Sequence, residues 1–200
     1  MLKSRMLICV LVLSMAGSVF AGAPLACPAA QALKGILGQH PESAAQIVAS
    51  LNNSRTILAG LEQYEKLMDD KKVSLEMQVK LYEKVVEKFK GILVDPVKQF
   101  FTLVYDYKTL LHPIIKESLN RSTIAFEGST FCNFLQTSKD KAATFFTDMV
   151  NTKDDLLSAC QEFVVLFGDL EATMPEAFEA GREYLKELRQ KREREQSDGA

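Results

Sequence analysis

The sequence predicts an all-α protein, a compact bundle of about six to seven amphipathic helices in a single domain. Apolar residues recur at helical spacing after residue 28, and prolines and capping residues divide the chain into helix-length segments. No stretch alternates as a strand does. We therefore expect one helical domain over residues 24–188, followed by a charged flexible tail over residues 189–200, which lacks an apolar face.

The first 21 residues have the pattern of an export signal. Lys3 and Arg5 precede an apolar run that ends at Leu13, and Val-Phe-Ala at positions 19–21 fits a cleavage site. The run is shorter than the ~20 residues of a membrane-spanning helix, and charges interrupt every later apolar stretch. We therefore predict a signal peptide over residues 1–21, no transmembrane segment, and a secreted mature chain with a net charge of about −4.

Proline residues separate the first helices. Pro28 opens the first helix, which ends by His40 because Pro41 disfavours helical geometry in the preceding residue. The second helix begins near Glu42 and the third near Ser74, each with apolar residues at spacings of three and four. We expect these apolar faces to pack against the rest of the bundle.

The strongest helix start in the sequence lies at Asp95 and Pro96. An aspartate accepts hydrogen bonds as an N-cap, and proline fits the first helical position, where an N–H group has no partner. We predict one long helix from this point to Asn120, with a kink caused by Pro113.

Three more helices are predicted after a loop over residues 121–130. The first is interrupted near Ser138. The second follows a capping box that starts at Thr152, and Gly168 provides its C-terminal stop. The last helix opens near Thr173.

Cys27, Cys132 and Cys160 remain after the leader is removed, and disulfides persist in secreted proteins. Three cysteines allow one bridge and leave one thiol. We favour a bridge between Cys132 and Cys160, because they lie in neighbouring helical segments while Cys27 lies near the new N-terminus. The alternatives are a bridge to Cys27, or free buried thiols that act as small hydrophobic side chains.

Two acceptor patterns predict N-glycosylation at Asn52 and Asn120, followed two residues later by Ser54 and Ser122. If they are used, both asparagines lie on the surface. The alternative is a chance match to a three-residue pattern.

The sequence contains no motif for catalysis, metal binding or phosphate binding. His40 and His112 each precede a proline, as helix-end residues do, and the aspartate pairs lack the ligand spacing of a calcium loop. Basic and acidic residues are interspersed, so the clustered positive face of a nucleic-acid-binding protein is missing. We predict a non-enzymatic protein with no cofactor, no metal site and no nucleic-acid partner.

Aromatic side chains are concentrated in the second half of the chain, where eleven phenylalanines lie between Phe89 and Phe178. Rigid rings on facing helices can hold those helices apart and leave a cavity for an apolar ligand. The alternative is an ordinary aromatic core. The predicted lining residues are Phe89, Phe101, Tyr107, Leu111, Phe145, Phe146 and Phe163.

Two short segments resemble the nematode fatty-acid- and retinol-binding protein family. They are Leu-Tyr-Glu-Lys at residues 81–84 and the Asp-Pro helix start at residues 95–96, with lysine and phenylalanine just inside that helix. Export, chain length and the all-helical pattern also agree, whereas the three cysteines are unusual for the family. The resemblance implies an apolar cavity that binds a fatty acid or a retinoid.

The predicted function is therefore that of a secreted helical protein that binds a fatty acid or retinoid-like lipid in a phenylalanine-rich cavity. One alternative is a secreted structural or interaction protein, an antigen or host-directed effector, with a protein partner and no small ligand. Another is an apolipoprotein-like protein that spreads its amphipathic helices on lipid surfaces.

Overall fold

The computed structural model describes residues 24–70, 73–88, 107–137 and 151–198, with positions 141, 144, 145 and 148. In these residues we find helices and no strand. The helices are α1 (Pro28–Gln39), α2 (Pro41–Asp70), α3 (75–88), α4 (Lys108–Arg121), α5 (Thr130–Gln136), α6 (Lys153–Thr173) and α7 (Pro175–Asp198). They share one hydrophobic core, which confirms the predicted all-α single domain. The predicted signal peptide, residues 1–21, lies outside the described residues.

The boundary between α1 and α2 follows from its prolines, as the sequence predicted. Cys27 is extended, with φ −73° and ψ 143°, and Pro28 occupies the start of α1. His40 leaves helical geometry, with φ −129° and ψ 72°, because Pro41 follows it and opens α2. These two boundaries fold α1 back onto the bundle.

The bundle is built around α2, which packs most extensively against α7 and α6. Lys153 at the start of α6 pairs with Glu65 near the end of α2, and Arg55 pairs with Glu171 at 3.4 Å near the end of α6. The two helices are therefore antiparallel. On the remaining sides, α4 packs against α1 and α6, and α5 packs against α6.

A glycine allows α7 to approach α2 closely. A Cβ atom at Gly181 would lie 2.7 Å from the backbone carbon of Ala44 and 2.7 Å from the backbone nitrogen of Ala45. Real Cβ atoms do not occur at such distances, so the two backbones are in contact here. Both helices begin at this end of the bundle and run in the same direction.

The N-terminus of α6 has the predicted capping box. The Thr152 hydroxyl accepts a hydrogen bond from the Asp155 backbone N–H at 3.1 Å, and the Asp155 carboxylate accepts one from the Thr152 backbone N–H at 2.9 Å. These reciprocal bonds satisfy N–H groups that a helix start leaves without partners.

The start of α4 differs from the prediction of one helix between Asp95 and Asn120. Tyr107 has φ −112° and ψ 28° and precedes the first helical residue, Lys108, so α4 starts here with Tyr107 as its N-cap residue. The Tyr107 side chain packs against the core. Pro113 lies inside α4. Residues 95–106 lie outside the described residues.

Two other predicted boundaries also differ. Gly168 does not stop α6, which continues to Thr173, because a glycine within a helix reduces stability without ending it. Residues 189–198, predicted to be flexible, continue α7 as an exposed helix. Lys, Arg, Glu and Gln favour helix, and the ion pair between Lys191 and Glu195 spans one turn of it.

The start of α3 is less buried than its periodicity predicts. Leu75 is 77% exposed, and Met77 and Val79 are also exposed, as is Leu67 near the end of α2. We call these four residues the apolar tip. Further along α3, Val86 is buried, so the stripe contacts the core at its C-terminal part only.

Candidate functional site

The structure brings two of the seven predicted lining residues into the closed core. Leu111 is 1% exposed and Phe163 is 0% exposed. Tyr107 and Phe145 are half-buried and pack against the edge of that core. Phe89, Phe101 and Phe146 lie outside the described residues.

The described phenylalanine rings pack directly against one another. The Phe163 ring lies 5.2 Å from the Phe131 ring and 5.7 Å from the Phe167 ring, measured between centroids. Phe134 and Phe145 meet edge to face at 5.2 Å. Contacts of this kind join rings without a gap between them. Phe131, Phe163 and Phe167 are therefore core residues that attach α5 to α6.

The structure does not show the predicted disulfide: Cys132 and Cys160 are both free thiols there. Cys132 Sγ accepts a hydrogen bond from the Gln136 side-chain nitrogen at 3.6 Å within α5. Cys160 instead has Ser54 of α2 as its neighbour. The two sulfurs have different partners. The helices that carry them pack against each other, but the thiols are not bridged. Cys27 is a half-buried free thiol.

The Cys160 thiol is chemically protected. Burial raises its pKa to about 12, and the Ser54 hydroxyl opposes that shift only in part. Because the thiolate is the reactive form of cysteine, this residue is inert at physiological pH. It acts as a small apolar core side chain.

The side chains of Asn52 and Asn120 are both exposed. Asn120 lies in the last turn of α4, close to the loop that follows. Asn52 lies in the middle of α2, and the Ser54 of its acceptor pattern is fully buried. Glycosylation at either residue stays a prediction.

Glu162 of α6 attaches the short helix α5 to the bundle. One carboxylate oxygen accepts hydrogen bonds from the Thr130 backbone N–H at 2.9 Å and the Thr130 hydroxyl at 3.1 Å. The other accepts one from the Phe131 backbone N–H at 3.2 Å. Burial raises the pKa of Glu162, and these hydrogen bonds oppose the shift. The carboxylate thus caps α5 from another helix, which is a structural role.

A second set of polar side chains lies where α2, α3 and the start of α6 meet. The Tyr64 and Tyr82 rings contact edge to face, with centroids 5.3 Å apart. Lys153 Nζ lies 4.8 Å from the centroid of the Tyr82 ring and also forms an ion pair with Glu65. We call Tyr64, Glu65, Tyr82 and Lys153 the tyrosine cluster.

Electrostatics in the tyrosine cluster favour protonated tyrosines. Burial raises the pKa of Tyr64, and burial is also the largest cause of the raised pKa of Tyr82. Lys153 opposes the Tyr82 shift, whereas the carboxylates of Glu65 and Asp69 increase it. Burial lowers the pKa of Lys153, but its hydrogen bond and charge attraction to Glu65 outweigh burial and raise it. The lysine is therefore a fixed cation.

The Tyr64 hydroxyl is not satisfied within the part of the chain that the structure describes. Its oxygen is buried and has no hydrogen-bond partner there, although the ring as a whole is half-buried. A buried polar group without a partner costs about 1–3 kcal/mol, which is a large fraction of the stability of a domain. A hydroxyl in this state is suited to bind a polar atom of a ligand.

An open groove of about 390 Å³ between α2 and α7 is a less suitable site. It is lined by Val48, Asn52, Arg182, Leu185, Lys186, Arg189, Gln190 and Glu193. Its cations are already neutralised in part, since Arg182 pairs with Glu171 and Glu179, and Lys186 pairs with Glu183. The groove has neither the enclosure nor the apolar lining of a ligand pocket.

The described ranges contain neither a metal site nor a membrane-spanning helix. No group of three His, Cys, Asp or Glu side chains there is arranged to hold a metal ion. Within the same ranges, every helix is too short or too polar to cross a membrane.

Sequence reasoning missed Tyr64 and Lys153 as site residues. Tyr64 lies three residues after Leu61 and four before Met68 on α2, a spacing that indicates core. Lys153 lies inside the capping-box pattern, which gives its side chain no role. The apolar stripes of α2 and α3 each contain a tyrosine, Tyr64 and Tyr82, and this pair is the signal that the sequence offers. The contact between the two rings is visible only in the tertiary structure.

Comparisons with protein-family models, with curated proteins and with solved structures found no match to this chain. The resemblance to the nematode fatty-acid- and retinol-binding family therefore stays a prediction based on its two short segments.

Proposed function

We propose that this chain is a secreted, non-enzymatic protein that binds one apolar ligand, a fatty acid or a retinoid-like lipid, between its helices. The ligand would lie beside the tyrosine cluster, where α2, α3 and α6 meet. The carrying observation is the Tyr64 hydroxyl, which is buried without a hydrogen-bond partner among the described residues, on an α2 face that also carries Leu61 and Met68. Pockets for apolar ligands have this composition, with few polar groups that orient one end of the ligand.

A change in packing along α2 supports this location. Leu51, Ile57 and Leu61 are fully buried, so the first two-thirds of the helix face a closed core. Beyond Leu61, Tyr64 is half-buried and Leu67 is exposed, although the sequence remains amphipathic. Apolar area that the protein leaves uncovered is available to an apolar ligand, at about 25 cal/mol per Å² removed from water.

The predicted lining residues fit this proposal in part. Tyr107 and Phe145 are half-buried at the edge of the core, so each keeps part of its ring exposed. Leu111 and Phe163 belong to the packed core and support the helices instead. The proposal therefore depends on the tyrosine cluster more than on the phenylalanines.

A titration of delipidated protein with a fluorescent fatty acid tests this function. We expect a saturable change in fluorescence at micromolar concentration and displacement by an unlabelled fatty acid. Tyr82→Ala should weaken binding, whereas the matched change Tyr184→Ala, at a half-buried tyrosine on α7, should not. A signal that does not saturate, or equal losses in both variants, would contradict the proposal.

The apolar tip favours a second candidate, binding of a protein partner, here a second copy of the same chain. Leu75 and Val79 lie one turn apart on α3, and the ion pair between Glu76 and Lys80 lies beside them. An apolar stripe flanked by charges suits packing of two helices. Sedimentation under reducing conditions should then show a dimer that Leu75→Glu with Val79→Glu dissociates. A monomer at all concentrations would remove this candidate.

A further inference from the structure

The last turns of α7 carry an arrangement of basic residues that occurs once in the sequence. Arg189, Lys191 and Arg192 form the pattern Arg-x-Lys-Arg, and nowhere else in the sequence are two arginines three positions apart. Endoproteases that are specific for basic residues bind such side chains in pockets lined by carboxylates, where each cation forms charge-assisted hydrogen bonds. The pattern therefore indicates a cleavage site after Arg192.

All residues of the pattern lie on the surface. Every residue from 186 to 197 is exposed, and Leu188, the last apolar residue of α7, is 37% exposed. The earlier part of α7 differs, since Phe178 and Gly181 are buried against the bundle. Exposed segments without buried side chains are preferred sites of proteolysis. The side chains of the pattern are therefore accessible to an enzyme.

The hydrogen bonds and ion pairs of residues 189–198 lie within their own helix. Lys191 pairs with Glu195 at 3.9 Å, and the Ser197 hydroxyl donates a hydrogen bond to the Arg194 carbonyl at 2.8 Å. In the part of the chain that the structure describes, neither kind of bond joins this segment to another helix. A helix shorter than about 12–15 residues is marginal in water without tertiary packing, so this end unwinds at low cost. A protease that binds an extended strand acts on the unwound population.

We propose that residues 189–192 are the recognition site of a basic-residue-specific endoprotease of the secretory pathway, which cleaves the peptide bond between Arg192 and Glu193. Water attacks the Arg192 carbonyl carbon, the C–N bond breaks, and the released nitrogen takes a proton. Arg192 then ends the bundle with a carboxylate, and Glu193 begins the released segment with an amine. The inference rests on the secretion in the proposed function, which brings the chain to such a protease, and does not depend on ligand binding.

Cleavage changes the charge of this end of the bundle. The segment that begins at Glu193 carries three acidic side chains and one basic side chain, so its release removes a net charge of −2. Glu193 also lines the open groove between α2 and α7. After cleavage, the charged side chains that line the groove are all basic, namely Arg182, Lys186 and Arg189.

Digestion of the purified full chain with a proprotein convertase, a protease of this specificity, tests the site. Intact-mass spectrometry should show one product that ends at Arg192, and isoelectric focusing should show that its isoelectric point is higher. Arg189→Ala removes one cation of the pattern and should slow cleavage at least about tenfold, the effect of one lost hydrogen bond to a charged group. Arg194→Ala, the matched control, removes an arginine outside the pattern and should be cleaved as fast as wild type.

A variant of the full chain tests whether the helix itself limits cleavage. Gln190→Pro breaks the helix at the pattern and keeps its three cations, so it should be cut several-fold faster than wild type at the same bond. Wild type that stays intact while Gln190→Pro is cut would overturn the inference, because the helix would then shield the site. Equal cleavage of Arg189→Ala and wild type, or a first cut within α1–α6, would overturn it as well.

Expression in secretory cells separates this inference from the proposed function. Protein recovered from the medium should end at Arg192, and exported protein that extends beyond Arg192 would contradict the inference. Saturable fatty-acid binding by such an uncut chain would leave the proposed function intact. If the chain is not exported, the proposed function loses its secretion, and the digestion of the purified chain still decides whether the site is recognised.

Discussion

Glu162 is a single residue on which the attachment of α5 depends. Its two oxygens accept three hydrogen bonds from Thr130 and Phe131 at the start of that helix. In Glu162→Gln one acceptor oxygen becomes an amino group, which faces an N–H donor and leaves it without a partner. We expect the variant to lose about 1–3 kcal/mol of unfolding free energy at mildly acidic pH, measured by urea denaturation. Glu127→Gln, at an exposed loop position, should change it little.

The pH dependence of this difference follows from the raised pKa of Glu162. The unfolded glutamate titrates near 4.5, and burial makes the folded chain hold its proton more tightly. Below the pKa of Glu162 in the unfolded chain, the bound proton makes its full contribution to the free energy of unfolding. That contribution is lost as the pH rises through the higher pKa of Glu162 in the folded chain. We expect the advantage of wild type over Glu162→Gln to shrink as the pH is raised from mildly acidic to neutral. An advantage that grows with pH would contradict the assignment.

The three thiols should differ in reactivity. Cys132 and Cys160 are buried, and the pKa of Cys160 is about 12, whereas Cys27 is half-buried. We expect iodoacetamide to alkylate Cys27 in the native protein, and the other two only after denaturation. Peptide mapping by mass spectrometry provides the measurement. A peptide that contains Cys132 linked to Cys160, found without reductant, would instead restore the bridge that the sequence suggested.

At the scale of the helix, the capping box at the start of α6 has a predictable energetic effect. Thr152→Ala removes the acceptor of the Asp155 N–H bond and should cost about 1 kcal/mol of unfolding free energy, from chemical denaturation. Thr152→Ser keeps the hydroxyl and should lose much less. If both substitutions cost the same, the hydrogen bond is not the source of the effect.

Two glycines within helices should respond to alanine in opposite ways. At Gly181 a Cβ atom would lie 2.7 Å from the α2 backbone, so Gly181→Ala forces α7 away and should cost at least about 1–3 kcal/mol. At Gly168 no atom lies within 4 Å of that position, and alanine should stabilise α6 by up to about 1 kcal/mol. Thermal and urea unfolding measure both. Equal effects at the two sites would contradict the close packing of α7 on α2.

The same elements show what a sequence can predict about helices. Local chemistry correctly predicted the helix boundaries at Pro28 and Pro41 and the capping box at Thr152, because each of these features acts within a few residues. The start of α4 at Lys108 and the continuation of α6 through Gly168 depend on how those segments pack in the bundle. Sequence periodicity contains no information about that packing.

For the whole molecule, the fold class followed from sequence, whereas the site did not. Helical spacing identified Leu111 and Phe163 as apolar and inward-facing, but it could not separate residues of a closed core from residues that line a ligand site. Tyr64 and Lys153 are 89 positions apart in the chain. They meet at the Tyr82 ring, and Lys153 pairs with Glu65, only because α2 and α6 pack antiparallel. A site of this kind is a product of tertiary structure.

Photoaffinity labelling tests the central claim, an apolar ligand bound beside the tyrosine cluster, most directly. The delipidated protein is irradiated with a photoactivatable fatty acid, digested, and mapped by mass spectrometry, with and without an excess of the unlabelled fatty acid. We predict labels within residues 61–88 and 151–158 that saturate with probe and disappear under competition. Labels that do not saturate, or that map to the α2–α7 groove around Asn52 and Arg189, would contradict it.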